Sequence, residues 1–273
     1  MPDYHPEERW TAVLLAGQRP EGDPLAEHCG QDFKALIHVG GVSMLRRVTA
    51  TLLAVPQIDR IVILAQQPEA LMVGDAARLR DNPRIMLSQS SSAIASSIAA
   101  IAGTSVAPWP VLVVTADHVL LTPEIVASFF SEIGNEDLAI GVGERKAVEA
   151  GFPATRRTWL KFRGGHYSGA NLFALRSAKV LSGFELWSSV EQDRKRALKL
   201  VGKFGPWLLL RTLTRTIGFA EAFERAGRRL GCTARPIVLP QPEAVIDVDN
   251  PADLALAESI LAQRTAIHAT LTA

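Results

Sequence analysis

Three apolar runs most limit what this chain can fold into: residues 11–16 (TAVLLA), 60–65 (RIVILA) and 110–115 (PVLVVT). Runs without polar alternation suit strands buried on both faces, as in a parallel sheet. Helical patterns separate them. Met44, Leu45, Val48, Leu52 and Leu53 recur at helical spacing. Pro68 can open a helix to about Leu79. The segment SQSSSAIASSIAAIAG begins in serines and ends at Gly103, the residue types favoured at helix starts and just past helix ends. Thr122-Pro123-Glu124 is a helix start for a segment running to about Ile133. Shorter strands fit at 84–87 and 137–142. Strands alternating with crossover helices call for an α/β domain with a largely parallel sheet.

Beyond residue 150 the pattern changes. A strand fits at 158–162, a glycine-rich loop at 163–169 and another strand at 170–175. Trp187, Val190, Ala197, Leu200, Val201 and Phe204 suit one face of a helix whose other face carries Glu191, Asp193, Arg194, Lys195 and Arg196. Helices are expected at 206–213 and 217–230, strands at 233–239 and 244–248, and a last helix from Pro251 carrying Leu254, Ala257, Ile260 and Leu261. No internal repeat or low-complexity linker appears, so residues 1–273 read as a single domain with a helical insertion near 185–230.

The composition supports a sizeable core, at 48% hydrophobic residues. With 29 basic and 28 acidic residues the formal net charge is +1, which argues against a nucleic-acid partner held by broad electrostatics. Cys29 and Cys232 match no zinc or redox spacing and give no disulfide framework. The opening MPDYHPEERW lacks a signal pattern, and no apolar run approaches the ~20 residues of a membrane span. The expectation is a soluble, reduced, cytoplasmic protein. The stretch 206–213 (PWLLLRTL) reads first as core, with contact to a membrane or acyl chain the minor alternative.

Chemistry concentrates in four places. The strand at 11–16 opens into a polar loop with Gly17, Arg19 and Gly22, followed by Lys34. Glycines let backbone N–H groups approach phosphate oxygens, and the two cations add positive charge. The loop is neither G-x-G-x-x-G nor G-x-x-x-x-G-K-[ST], and the plain alternative is a simple strand-to-helix turn. Lys34 stands among Phe33, Ala35, Leu36 and Ile37, where an unpaired cation is costly, so a functional role is favoured over the alternative that partial exposure removes the cost. Asp117 lies just past the strand at 110–115, where ligands of open α/β sheets sit. A carboxylate near phosphates suits magnesium; the alternative is a turn aspartate. His118 is not counted as a ligand.

In VIDVDNPADL, Asp247 and Asp249 would share a face if they end a strand. Either can complete a metal site with Asp117, and Asp249, nearer the strand's end, is preferred. Asp253 reads as a first-turn acid and Asn250 as a cap. The segment RRTWLKFRGGHYSGAN carries Arg156, Arg157, Lys161 and Arg163, a set able to grip an anionic acceptor or to form a solvated hairpin. The serines at 88–97, Ser91 and Ser92 among them, can meet a base or ribose or can cap a helix.

Five segments in this order resemble the MobA-like nucleotidyltransferases of the GT-A type: AVLLAG, FKALIHVGGVSML, VVTADHVLLT, SGANLF and IDVDNPADLALAESIL. Lys34 and Leu36 match the family's P-K-x-L, and Gly41, Met44 and Leu45 match its G-x-P-M-L-type turn. Asp117, after Ala116, matches the metal-binding aspartate that follows the central strand. Asp249, followed by Asn250, Pro251 and Asp253, matches a late V-D-x-P-x-D-L pattern whose first aspartate is a metal ligand in several relatives. The resemblance covers 11–177 and 232–263. The family's opening is a strand followed by L-A-G-G-x-G-x-R-M; the chain departs from the pattern where Gln18 replaces the second of those glycines, where the loop to Lys34 is long, and where Phe33 stands in place of proline.

The resemblance implies a three-layer α/β/α Rossmann-like fold with a mostly parallel mixed sheet. A nucleotide-binding half is implied at 10–150 and an acceptor-binding half at 151–263. It implies magnesium-dependent transfer of NMP from an NTP, CTP or GTP favoured, to a phosphorylated small-molecule acceptor, with release of pyrophosphate. Lys34, Arg19 and Asp117 are the implied catalytic residues, and Asp117 and Asp249 the metal ligands. Leu15, Ala16, Gly17, Gln18, Arg19, Lys34, Ser91, Ser92 and Ala116 would line the nucleotide. Arg157, Lys161, Arg163, Tyr167, Ser168, Gly169 and Asn171 would line the acceptor. The alternatives are a GT-A-type glycosyltransferase using a nucleotide-sugar, a non-catalytic nucleotide-binding protein, and a structural α/β protein. Neither the acceptor nor the oligomeric state is legible.

Overall fold

A computed structural model describes residues 8–18, 22–91, 93–184 and 205–271. The helix expected around 187–204, Arg19 and Ser92 lie outside the described residues. The central apolar runs become β1 (Trp10–Leu15), β4 (Ile58–Ala65) and β6 (Val111–Thr115), joined by β5 (Ile85–Gln89), β7 (Leu138–Glu144), β8 (Leu160–Phe162), β9 (Gly165–Leu175) and β10 (Ala234–Val238). They form one eight-stranded sheet in the order β10-β7-β9-β6-β1-β4-β5, with β8 paired to β9. Neighbours are parallel except along β9, which runs antiparallel to β6, β7 and β8. A small hairpin, β2 (His38–Val39) and β3 (Val42–Ser43), stands apart.

Alternation along β1 explains the three layers. Trp10, Ala12 and Leu14 point to one face and pack with Leu45, Val48 and Leu52 of α2 (Met44–Ala54) and Phe129 and Phe130 of α4 (Pro123–Glu132). Val13 points to the other face and packs with Val62, Val111 and Val113 and with Ile98 and Ile101 of α3 (Ile94–Ile101). Successive strand side chains take opposite faces, so a run apolar throughout demands cover on both. Thr122 caps α4 by accepting from the Ile125 N–H, as expected of that start. Short helices α1 (Pro24–His28) and α5 (Arg145–Gly151) complete this part. Later come α6 (Pro206–Leu213), α7 (Phe219–Leu230) and α8 (Pro251–Leu271). No described helix is long and apolar enough to cross a membrane.

Three local expectations are corrected. The helix expected at 68–79 is two 3₁₀ segments, Pro68–Leu71 and Gly74–Asp81, broken where Gly74 takes a left-handed φ of 54°. The loop expected at 163–169 is largely strand: Gly164, at φ 93°, turns the chain, and Gly165 already pairs with Phe162. The strand expected at 244–248 is a 3₁₀ turn, Pro242–Val245, followed by unpaired chain, because the Asp247 backbone carbonyl accepts from Arg157 and joins no ladder.

Gly227 sets how closely α7 lies on β10. A Cβ there would stand 2.7 Å from the Cys232 carbonyl oxygen and 2.8 Å from Ala234 Cβ. Gly227→Ala is therefore expected to destabilise by about 1–3 kcal/mol, the usual cost of overpacking. The check is a lower urea midpoint at unchanged slope; an unchanged midpoint would show that the helix shifts freely.

Candidate active site

The site lies where β1 and β6 end. The Ala16 N–H donates to the Leu64 carbonyl (3.0 Å) and the Ala116 N–H to the Leu15 carbonyl (2.9 Å), so both chains stay in the sheet for one more residue before leaving it. Beyond Gly17 the loop is held by Gln66. Its amide accepts from the Gln18 N–H (3.1 Å) and donates to the Gln18 carbonyl (3.0 Å). A Cβ at Gly17 would come within 2.7 Å of Gln66 Oε1, so a side chain there would displace the Gln66 amide from its present position. The Gln18 side chain spans the base of the loop. Its Nε2 donates to the Asp32 carbonyl (3.0 Å), and its Oε1 accepts from the Lys34 N–H (3.3 Å). Gln18 thus staples the long loop shut and fixes where Lys34 begins. Sequence reasoning missed Gln66, whose role depends on a partner 48 residues away.

A third core holds three loops in register. It gathers Leu25 and Ala26 of α1, Ile37 and Met44 after Lys34, Val119 and Leu120 after Asp117, and Ile246, Val248, Ala257 and Ile260 around Asp249. The Val248 N–H also donates to the Asp117 carbonyl (3.1 Å). Chain segments far apart in sequence therefore deliver Lys34, Asp117 and Asp249 to one point. Lys34 Nζ stands 2.6 Å from Asp117 Oδ2 and 2.5 Å from Asp249 Oδ1. The Lys34 and Asp117 side chains are only 15% and 18% exposed, while Asp249 is 58% exposed. Burial works against the Lys34 charge, but the Asp117 carboxylate and then Asp249 outweigh it and raise the pKa above the ordinary lysine value. The cost of an unpaired cation at Lys34 is avoided here by two carboxylates.

Asp247 faces elsewhere. It accepts from Arg157 Nη1 and, at 3.0 Å, from Asn171 Nδ2. Arg157 also donates through Nη2 to Asp253 (2.7 Å) and to the Asp247 carbonyl (3.2 Å), and through Nε to Thr155 Oγ1 (3.2 Å). Its side chain is 8% exposed, so it braces the late loop from inside. Burial and then the Asp249 charge push the Asp247 pKa up, with Arg157 pulling the other way. Asn171 reaches Asp247 from an irregular stretch of β9 where the register against β7 shifts, and it takes φ 50°, a conformation asparagine tolerates better than most residues. Asn250 caps α8, its Oδ1 accepting from the Ala252 (3.0 Å) and Asp253 (3.1 Å) N–H groups.

The other expected residues spread out. Lys161 and Arg163 are exposed on the β8–β9 hairpin. The Tyr167 ring stacks on Phe219 with centroids 4.2 Å apart, Ser168 is buried opposite Gly143, and Gly169 is exposed opposite Val142. Ser91 ties the start of α3, its N–H donating to Ser97 Oγ (2.9 Å), while Ala93 holds the cap position expected for a serine. His118 is buried, and burial, opposed by Asp117, pushes its pKa down to about 4, so it is neutral near pH 7.

The described residues contain no cluster of three or more His, Cys, Asp or Glu side chains suited to a metal. Two carboxylates nonetheless meet at one point, and Asp117 Oδ1 is buried without a hydrogen-bond partner. Oxygen donors of that number fit magnesium, which is often held by one or two carboxylates with substrate phosphates completing its shell.

Residues 12–195 match the model of the MobA-like NTP transferase domain. The chain belongs to the MobA-like NTP transferase family. It is accordingly a nucleotidyltransferase. A hypothetical transferase from Thermus thermophilus is 30% identical to it, over 90% of this chain and 99% of that one, with a TM-score of 0.71. The 4-diphosphocytidyl-2C-methyl-D-erythritol synthase of Anaerococcus prevotii shares the fold at 12% identity and a TM-score of 0.56, over 93% of this chain and 96% of its own. CMP:2-keto-3-deoxy-manno-octonic acid synthetase, solved with CTP, shares it at 13% identity and a TM-score of 0.56, over 93% of this chain and 99% of its own. No curated protein matches the chain. The mostly parallel sheet with helices on both faces is thus the Rossmann-like fold of this NTP transferase family.

Proposed function

We propose that this transferase moves a nucleoside monophosphate from CTP or GTP to a phosphorylated small molecule, releasing pyrophosphate, and that it does so with magnesium. The observation that carries the reading is the Lys34 ammonium held between Asp117 and Asp249 at the ends of β1 and β6. One cation and two oxygen-rich groups meet where α/β sheets bind ligands. CTP is the first nucleotide to try, since two of the three structural neighbours named above carry cytidyl names.

Residues 10–150 serve as the nucleotide half and 151–263 as the acceptor half. Leu15, Ala16, Gly17, Gln18, Ser91 and Ala116 border the nucleotide, with Arg19 and Ser92 in the same role. Lys34 trades its carboxylate partners for the triphosphate and offsets the charge that builds there, since positioning and electrostatics dominate phosphoryl-type transfer. Magnesium, when held by Asp117 and Asp249, would supply neutralisation of phosphate charge. A phosphate monoester has its second pKa near 6, so the acceptor oxygen is already ionised and needs no general base. Lys161, Arg163, Tyr167 and Gly169 border the acceptor, and Ser168, buried opposite Gly143, supports that strand from behind. Asn171 and Arg157 hold the loop that carries Asp249.

The test is pyrophosphate release from each NTP with a panel of phosphorylated sugars, polyols and cofactor precursors. Asp117→Asn is expected to lower turnover by about 10²–10³-fold while the protein stays folded, the usual scale for one electrostatic group. Failure of every NTP with magnesium to raise the melting temperature would refute the proposal.

A further inference from the structure

A cavity of about 360 Å³ lies on the sheet face covered by α3, between that helix, α7 and the strands. Interiors seldom keep voids larger than a water molecule, whereas small-molecule pockets begin near 300 Å³. Its walls are apolar, with Ile98, Val113, Ile140, Phe173, Phe184 and Phe223 among them. Thr115, Asn171 and Cys232 are the described lining residues that carry polar side-chain atoms. Two of these lead to the active site. Thr115 is two residues before Asp117, and its Oγ1 is buried without a hydrogen-bond partner. Asn171 donates to Asp247, two residues before Asp249. Leu15, at the end of β1 and two residues before Gly17, also lines the cavity. Ile94 lines it too while being 55% exposed, which marks it as a rim residue.

We propose that the acceptor is an amphiphilic phosphate monoester, with its phosphate at the Asp117–Asp249 site and its apolar chain in this cavity. The assignment rests on the nucleotidyl-transfer reading for the phosphate end and on the cavity alone for the chain. An apolar chamber whose polar groups stand beside a phosphate-handling site favours a ligand built the same way: an anionic head joined to a water-avoiding tail. A sugar phosphate would leave the chamber's apolar wall unmatched.

The probes are propyl, octyl and dodecyl phosphate, titrated by calorimetry below their micelle concentrations into the full chain without nucleotide, with CTP and magnesium titrated separately. Affinity should rise about threefold to fourfold per added methylene until the cavity is full. Ala226→Phe, which puts a ring into the cavity from α7, should abolish that rise and leave propyl phosphate and CTP binding unchanged. Ile94→Asp, at an already exposed position, should weaken octyl phosphate in the same way with the fold intact. No chain-length dependence in the wild type, or a dependence that survives both variants, would overturn the proposal. Loss of CTP binding in Ala226→Phe would also overturn it, by giving the cavity to the nucleobase. Chain-length dependence lost in the variant, with no CTP binding by either protein, would uphold the cavity and defeat the transfer reading alone.

Discussion

Replacing Lys34 with methionine is expected to lower nucleotidyl transfer by about 10²–10³-fold and, in the absence of nucleotide, to strengthen divalent-cation binding. The two effects have opposite signs because the ammonium has two positions to fill. Without a triphosphate it sits 2.6 Å and 2.5 Å from Asp117 and Asp249 and neutralises them. A divalent cation must compete with it for those oxygens. Methionine keeps much of the apolar stem and removes the charge, leaving two carboxylates that repel each other and attract any cation. Pyrophosphate release reads the first effect, and manganese binding followed by electron paramagnetic resonance reads the second. Unchanged manganese affinity would show that the carboxylates are not the metal's ligands. The lysine also leaves a mark in alkali. Its pKa is raised, burial notwithstanding, chiefly by Asp117 and then Asp249. The stability it contributes is therefore complete below the ordinary lysine value of about 10.4 and disappears as pH rises through the raised value. Wild type should lose stability in that alkaline range, and Lys34→Met should show no such step.

The three layers were legible because β1, β4 and β6 are apolar at consecutive positions, and only a sheet covered on both faces hides such runs. The break at Gly74 was visible as a residue but not as a conformation, since helical spacing in Leu71 and Leu79 does not reveal a positive φ between them. In GGHYSG the glycines suggested a loop, yet of Gly164 and Gly165 only Gly164 turns the chain. Lys34, Asp117 and Asp249 were legible because each sits beside a local pattern: an apolar setting, a strand end, a helix start. That Asp117 and Asp249 would meet was expected; that the Lys34 ammonium stands between them is a finding of the structure. Partners chosen at long range were not legible. Gln66 carries no local signal for its clamp on Gln18, and Arg157 looked like one surface cation among four although its partner Asp247 is 90 residues away. Asp253 reads as an ordinary first-turn acid and is in fact a buried partner of that arginine.

Arg157→Leu should produce the largest loss of stability, about 3–5 kcal/mol, the cost of leaving buried carboxylates without their cation. The guanidinium is 8% exposed and bonds two carboxylates, Asp247 and Asp253, on the loop that opens α8. Leucine fills part of the space and satisfies neither. Lysine should recover little, because one ammonium cannot reproduce the planar fork that serves both carboxylates, the Asp247 carbonyl and Thr155. The pH dependence of the loss identifies its cause. Burial and Asp249 already raise the Asp247 pKa, and Arg157 is the nearby cation that lowers it. Without Arg157 that pKa climbs further. A carboxyl whose folded pKa is raised costs stability once pH exceeds its unfolded value, and the cost vanishes as pH falls below it. Urea unfolding should therefore show a wide gap between wild type and Arg157→Leu at pH 7 and a narrower one near pH 4. Neutralising the partners as well, with Asp247→Asn and Asp253→Asn on the leucine background, should restore much of the loss at pH 7. A gap that ignores pH and is not narrowed by the neutral partners would mean that Arg157 acts through packing of its stem. Transfer should fall too, without any contact between Arg157 and the nucleotide, because the loop it braces carries Asp249 two residues beyond Asp247.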